Sequence, residues 1–256
     1  SRAALVGFGD RGCASLRDGL SIHDTSDVVD LEVLTDLTNI VDGELSLQKN
    51  AELTNVRGLR NLRGVVLIGF VWIQDNPKLG SLDGLEGIVE LGEVLGLSLY
   101  IAGNAVLASI DGLGGVSGVL PGAIAVYQNP ALVSFDGLEG VTGVAGYDID
   151  GISIYIETNN VLRSVAALDN VQGDLPGALV VSGNPALESP QGLHGIRAAG
   201  TEAAWHGHYA VYIQGSPALC ATPDEVSALR EQIDELRIDR VDVFAEVVEG
   251  HGRGKD

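Results

Sequence analysis

Residues 129–141 read NPALVSFDGLEGV and residues 76–88 read NPKLGSLDGLEGI, with the same residues at almost every informative place. Aligned on its first residue, this motif occurs seven times: NAEL at Asn50, NPKL at Asn76, NAVL at Asn104, NPAL at Asn129, NNVL at Asn159, NPAL at Asn184 and SPAL at Ser216. The successive spacings are 26, 28, 25, 30, 25 and 32 residues, and a degenerate unit precedes them around residues 20–40. Such a period predicts a solenoid, in which each unit buries its apolar residues only against its neighbours.

Each unit places its apolar residues at fixed offsets from the motif asparagine. In the unit at Asn129, Ile124 and Val126 precede the asparagine at alternate positions, and Leu132 follows it three residues later. This alternation predicts a strand of about five residues. The Asn-Pro and Asp-Gly pairs are typical of turns, since Asn and Gly tolerate left-handed backbone. We therefore predict an all-β repeat solenoid of about seven to eight turns that forms one elongated domain.

Composition and the chain ends agree with this organisation. The 35 glycines suit tight corners between strands, and no apolar run is long enough for a membrane-spanning helix. The segment Thr222-Pro223-Asp224-Glu225 is typical of a helix start, and apolar residues recur after it at helical spacing. The predicted boundaries are an N-terminal extension over 1–12, the solenoid over 13–221, a C-terminal capping helix over 222–238 and a tail over 239–256.

The chain contains no methionine. We interpret this as the removal of a leading segment, as in export or organelle import, although a trimmed chain explains it equally simply. The expected location is the cell exterior, the cell surface or an organelle lumen, and not within a membrane as an integral protein.

The pattern of a strand, NPAL and S-x-D-G-L resembles the receptor L domain, the leucine-rich β-helical module of the insulin and epidermal growth factor receptors. The segment CASLRDGLSI at 13–22 is similar to the opening of that family, and SPALC at 216–220 is similar to its closing turn. The resemblance covers about residues 12–236 and implies a right-handed β-helix with leucine-rich-repeat-like turns. Nothing in the chain resembles the receptors' cysteine-rich modules, membrane helix or kinase motifs, so the resemblance lends no support to a signalling role.

The two cysteines, Cys13 and Cys220, lie near opposite ends of the predicted solenoid. Strands stack at about 4.8 Å per turn, which separates the ends of seven turns by about 30 Å. A disulfide needs Cα atoms within about 7 Å. Two free thiols are therefore expected.

Motifs for catalysis or metal binding are weak. His206 and His208 lie beside Trp205, but no further metal ligand is near them in sequence. Asp148 and Asp150 precede Gly151 without the longer ligand series of a calcium loop, which favours a solvated turn. A polysaccharide hydrolase would need facing acids within about 5 to 10 Å. We predict a non-enzymatic protein with no cofactor and no metal site.

The charge balance restricts the partners. The chain has 35 acidic and 15 basic residues, a formal net charge of −20. Nucleic acids and anionic lipid surfaces would be repelled, whereas a basic protein, a cationic surface or divalent ions would be attracted. Solubility of a long solenoid is the alternative explanation for this charge.

Strand alternation also separates inward from outward side chains. Positions three and five before the motif asparagine are aliphatic in nearly every unit, so positions four and two before it are predicted to face outward. The outward set holds five of the eight Trp and Tyr residues, with glutamines beside them: Trp72, Tyr100, Tyr127, Tyr155 and Tyr212, with Gln74 and Gln214. Such a band is typical of a surface that binds protein or glycan. Cross-strand stacking that stabilises the sheet explains it equally well.

Two functional hypotheses follow from this band. In the first, the protein is a non-catalytic interaction module that holds a protein partner or a glycan on the aromatic face. In the second, it is a permanent structural subunit of a hetero-oligomeric complex, for example in an organelle lumen, and the same band is buried in an obligate interface.

Overall fold

The computed structural model of the chain describes residues 1–189, 191–200, 203 and 211–216. These residues form an all-β solenoid of about seven turns with parallel strands and almost no helix, which confirms the predicted fold class. The strands are β1 Ser15–Arg17, β2 Leu20–His23, β3 Asn39–Val41, β4 Leu45–Gln48, β5 Val65–Leu67, β6 Val71–Gln74, β7 Ile88–Leu91, β8 Leu97–Ala102, β9 Gly118–Leu120, β10 Ala123–Tyr127, β11 Val141–Val144, β12 Ile152–Glu157, β13 Gly173–Asp174, β14 Ala178–Ser182, β15 Ile196–Ala198 and β16 Val211–Gln214.

The even-numbered strands form one wall of the solenoid. They make a single eight-stranded parallel sheet in the order β16-β14-β12-β10-β8-β6-β4-β2. Their register stacks equivalent positions of successive units, as in the column that pairs Leu47 with Ile73 and Ile73 with Ile101. These inward side chains are fully buried. The predicted ladder of aliphatic residues is thus the core.

The opposite wall is not continuous. Its strands form separate two-stranded sheets, β1-β3, β5-β7, β9-β11 and β13-β15. The corners that precede these strands alternate from Asn50 onward between a 3-10 helix and a turn built on a glycine with positive φ. The 3-10 helices are Arg57–Leu59, Asp111–Leu113 and Ala166–Leu168, and the glycines are Gly84, Gly137 and Gly192. The structural repeat is therefore two turns rather than one.

Each motif asparagine begins a turn, as predicted: its carbonyl oxygen accepts from the N–H three residues later, as Asn76 O does from Leu79 N–H at 3.2 Å. Its side chain has a second role, inside the solenoid, that the turn composition does not reveal. All six are completely buried, and each backbone N–H donates to the Oδ1 atom of the asparagine in the next turn, until Asn184 donates to the Ser216 hydroxyl. These hydrogen bonds form a ladder of asparagines along the solenoid. At its other end, the Thr25 hydroxyl donates to Asn50 Oδ1. The left-handed backbone falls one residue earlier, as at Asp75 and Gln128. The corner that follows the asparagine along the chain is closed by a serine hydroxyl in several units. One example is Ser109 Oγ, which accepts from the Asp111 N–H.

The first residues of the chain form a helix, α1 Arg2–Gly9, where the sequence suggests only an extension. Leu5 of α1 packs against the core, and Gly9 lies against the backbone of Val33 in the 3-10 helix Glu32–Leu34. The helix thus covers this end of the solenoid, as a terminal cap does in repeat proteins. The predicted capping helix over 222–238 lies outside the described residues.

Two further observations concern the predictions on thiols and membranes. Cys13 is a free cysteine, and Cys220 lies outside the described residues. Among the helices that the structure describes, none combines the length and apolar character needed to cross a membrane.

Candidate binding face

The outer surface of the eight-stranded sheet carries four aromatic rings, each in contact with the next. They are here called the aromatic strip: Trp72, Tyr100, Tyr127 and Tyr155. They come from the adjacent strands β6, β8, β10 and β12, and all four are half-buried. Ring centroids are 5.2 Å apart for Trp72–Tyr100, 5.5 Å for Tyr100–Tyr127 and 5.3 Å for Tyr127–Tyr155. The predicted outward positions therefore do place these four side chains side by side.

The strip is continuous because its tyrosine on β10 occupies a different outward position from the other rings. Tyr127 lies two residues before its motif asparagine, whereas the other three rings lie four residues before theirs. Ala125 is in register between Tyr100 and Tyr155, where its small side chain could not bridge the two rings. Tyr127, two residues later in β10, contacts both rings instead. The side chain opposite Tyr127 on β8 is Ala102, which leaves room for it.

The polar tips of the strip are bonded within the protein. The Trp72 indole N–H donates to Gln74 Oε1 at 2.9 Å, and the Tyr155 hydroxyl donates to Glu157. Tyr100 has alanine at the equivalent position, and its hydroxyl bonds to that of Tyr127 instead. Stacking and hydrogen bonds together hold the rings in fixed positions, as the sheet-stabilising interpretation of the band expects.

Two insertions cover the part of the outer face where the strands begin. The loops at 92–96 and 145–151 precede β8 and β12 and lengthen the units that contain them. A buried serine fixes each loop in the same way. Ser98 Oγ donates to Gly92 O at 2.7 Å and accepts from the N–H of Gly122 at 2.8 Å, while Ser153 does the same with Gly146 and Gly177 at 2.6 and 2.8 Å.

The loop at 145–151 also contacts the turns of β8 and β14, which lie on either side of its own strand β12. Tyr147 lies so close to Gly96 and Gly177 that an added Cβ would be 2.1 Å from its carbonyl oxygen in the first case and 2.5 Å from its Cβ in the second. The repeated sequences GLSLYI at 96–101 and GISIYI at 151–156 are a signal that could have revealed these serine-fixed loops.

Not every position that faces outward is exposed to solvent. Ser46, Ala125 and Val180 are buried, with at most 2% of their surface exposed. Val180 joins Ile152 and Ala178 in a small apolar cluster on the outer face, with Tyr155 and Tyr212 packed against it. The accessible part of the face is thus narrower than strand alternation alone predicts.

The remaining predicted site residues lie at the borders of the strip. Gln74 is half-buried and accepts the Trp72 hydrogen bond. Tyr212 lies on β16 in register with Val180, and Gln214 lies in register with Ser182. Tyr212 is therefore part of the same sheet face but is separated from Tyr155 by the strand that carries Val180.

Burial changes the acidity of three groups on or near this face. Burial, followed by the hydrogen bond to Tyr127, raises the pKa of Tyr100 above its usual range. Burial, followed by the bond to Glu157, raises the pKa of Tyr155 in the same direction. Burial also raises the pKa of Asp148, although three backbone hydrogen bonds oppose the change.

Other candidate sites are weaker. Asp148 Oδ1 accepts from the N–H groups of Asp150 and Ile152 at 3.0 and 2.9 Å, so it organises its own loop. Within the described part of the chain, no three side chains of metal-ligand type lie together. His206 and His208 fall outside that part. A cleft of about 420 Å³ lies between α1 and β2, and its lining is mainly apolar, with Leu5, Leu16 and Leu20.

No protein-family model matches the chain, and comparisons with curated proteins and with solved structures find no significant match either.

Proposed function

We propose that the chain is a non-catalytic interaction module that binds a protein through the aromatic strip. The observation that carries this proposal is the contiguous, half-exposed band formed by Trp72, Tyr100, Tyr127 and Tyr155 on a rigid sheet. Rigid aromatic side chains offer a large contact area at a low cost in conformational entropy, and they dominate binding energy in protein interfaces.

The orientation of the rings favours a protein over a glycan. Neighbouring ring planes are inclined by 58°, 86° and 46° along the strip. Sugars stack on exposed ring faces, whereas these rings direct much of their faces at one another. A protein surface can contact ring edges and the adjoining Gln74 and Glu157. The net charge of −20 favours a partner with basic residues around its contact surface and disfavours nucleic acid.

A second candidate function is a permanent subunit of a larger assembly. Two apolar loop tips support it, since Leu95 is 71% exposed and Ile149 is 84% exposed. They belong to the two insertions that border the strip. Large apolar side chains at such exposure are typical of surfaces that become buried in obligate interfaces.

The two candidates differ in what accompanies the chain in its source. Gentle extraction, sizing and mass spectrometry should find a stoichiometric partner if the protein is a permanent subunit. A free monomer with the chain's mass of 26.6 kDa would favour the reversible interaction module.

The repeat pattern also supports a proposal on ancestry and location. NPAL-type motifs, the CASLRDGLSI start and SPALC favour a stand-alone relative of the receptor L domain with right-handed coiling. A relative of that module would act outside the cell or in an organelle lumen. An experimental structure tests the handedness, and fractionation of the native source tests the location.

Substitution within the strip tests the interaction module. With a partner recovered from the native source and purified, Trp72→Ala combined with Tyr100→Ala should weaken binding by at least about tenfold, or about 1.4 kcal/mol. Gln74→Arg provides a second variant that keeps the four rings, removes the acceptor of the Trp72 N–H and places a positive charge at the border of the strip. Tyr147→Ala is the matched control, because Tyr147 is an exposed aromatic residue outside the strip. Unchanged affinity in both strip variants, with circular dichroism intact, contradicts the proposal.

A further inference from the structure

The aromatic strip is also a chain of oxidisable side chains. Trp and Tyr are the residues from which one-electron oxidants most readily remove an electron. Here one tryptophan and three tyrosines follow each other across four adjacent strands, with centroid separations of 5.2, 5.5 and 5.3 Å. At such separations an electron can pass from ring to ring. The stacking and the hydrogen-bonded tips hold this geometry in place.

The two ends of the strip differ in their ability to release a proton. A tyrosine that loses an electron also loses its phenolic proton, so stable oxidation requires a base at the hydroxyl. Of the four rings, Tyr155 is the one whose polar tip bonds to a carboxylate, that of Glu157. The Trp72 tip bonds to the Gln74 amide, and the hydroxyls of Tyr100 and Tyr127 bond to each other.

We propose that the strip relays a one-electron oxidation from Trp72 to Tyr155. An outer-sphere metal-complex oxidant, a ruthenium(III) polypyridyl in the test below, takes one electron from the indole of Trp72, and an electron from Tyr155 refills the indole through Tyr127 and Tyr100. As Tyr155 is oxidised, its phenolic proton moves to Glu157. The balance is one electron gained by the oxidant, a neutral tyrosyl radical at Tyr155, a protonated Glu157 and an unchanged Trp72. This activity is independent of the proposed binding function.

The position of the oxidant must be fixed for a clear test. A ruthenium polypyridyl photosensitiser can be attached through Gln48→Cys after Cys13 and Cys220 are replaced by serine. Gln48 lies on β4 in register with Gln74, beside the strand that carries Trp72. Flash excitation with an electron acceptor in solution then produces ruthenium(III), the one-electron oxidant. Transient absorption and electron paramagnetic resonance distinguish tryptophan from tyrosine radicals.

The wild-type strip should give a tyrosyl radical, and Tyr155→Phe should abolish that signal. The pair Tyr100→Phe and Tyr127→Phe keeps two packed rings but removes the intermediate steps, so the radical should remain on Trp72. Glu157→Gln should also lose the tyrosyl signal, because the amide cannot take the proton. Tyr212→Phe is the matched control and should change nothing.

Three results would overturn the relay: a tryptophan radical alone in the wild-type strip, the same tyrosyl yield when Tyr100 and Tyr127 are phenylalanine, or an undiminished tyrosyl yield in Glu157→Gln. Circular dichroism of each variant checks that the sheet is retained.

Discussion

Single buried asparagines connect the turns of this solenoid. Asn104 Nδ2 donates to the carbonyl oxygens of Ile73 and Ala102 at 3.0 and 3.1 Å, and to Asn129 Oδ1 at 3.1 Å. Its own Oδ1 accepts from the backbone and side chain of Asn76 at 3.1 and 3.2 Å. One side chain therefore satisfies polar groups in three consecutive turns. Such a fully satisfied buried network favours one register over its alternatives.

We expect Asn104→Ala to lower the free energy of unfolding by about 3 kcal/mol, because it leaves buried donors and acceptors without partners. Urea denaturation measures the change. The control is Asn170→Ala, since Asn170 is exposed and bonds only at the surface, and it should change the value by less than about 0.5 kcal/mol. Equal effects of the two substitutions would show that the ladder does not carry the stability assigned to it.

At the scale of elements, the strands were predictable and the loops that cover them were not. Inward positions such as Ile124 and Val126 follow a period of two, which is a local signal readable from a few residues. The same alternation found the four rings of the strip. The burial of Val180 depends instead on contacts between distant residues, and the bridge from Tyr147 to Gly96 and Gly177 has no local pattern. The buried role of the asparagines was also hidden, because an Asn-Pro pair has the composition of a turn.

The contact between Gly177 and the loop at 145–151 allows a test of how this element is held. We expect Gly177→Ala to destabilise the fold by about 2 kcal/mol, because the new Cβ would lie 2.5 Å from Tyr147 Cβ and 2.8 Å from Gly151 O. Limited proteolysis should cut this loop sooner in the variant. Gly80→Ala is the control, since a Cβ there meets nothing within 4 Å. A variant as stable and as resistant as the parent would mean that the loop does not press on the sheet.

At the scale of the whole molecule, negative charge opposes the compact fold. The net charge is −20, and the ion pairs between turns, such as Lys78–Glu52 at 2.6 Å and Arg60–Glu32 at 2.7 Å, involve half-exposed side chains. Exposed pairs contribute little to stability, whereas repulsion sums over the whole surface.

We therefore expect the midpoint of thermal unfolding to rise as sodium chloride is added from low to near-physiological concentration, since salt screens the repulsion. Differential scanning calorimetry measures the shift. Asp136→Asn combined with Asp150→Asn removes two exposed charges and should reduce the dependence on salt. A midpoint that falls with added salt would mean that the ion pairs outweigh the repulsion.

Because 3-10 corners alternate with glycine corners, turns should be added to or removed from this solenoid in pairs. Removal of the single turn at 104–128 would place the glycine corner of Gly84 next to that of Gly137, and β11 would lose its partner strand β9. Removal of 104–158 would instead join Gly103 to Asn159, and a 3-10 corner would again follow a glycine corner. Related chains should therefore differ in length by pairs of turns, which is the outcome expected if duplication copies a pair of turns and not a single one.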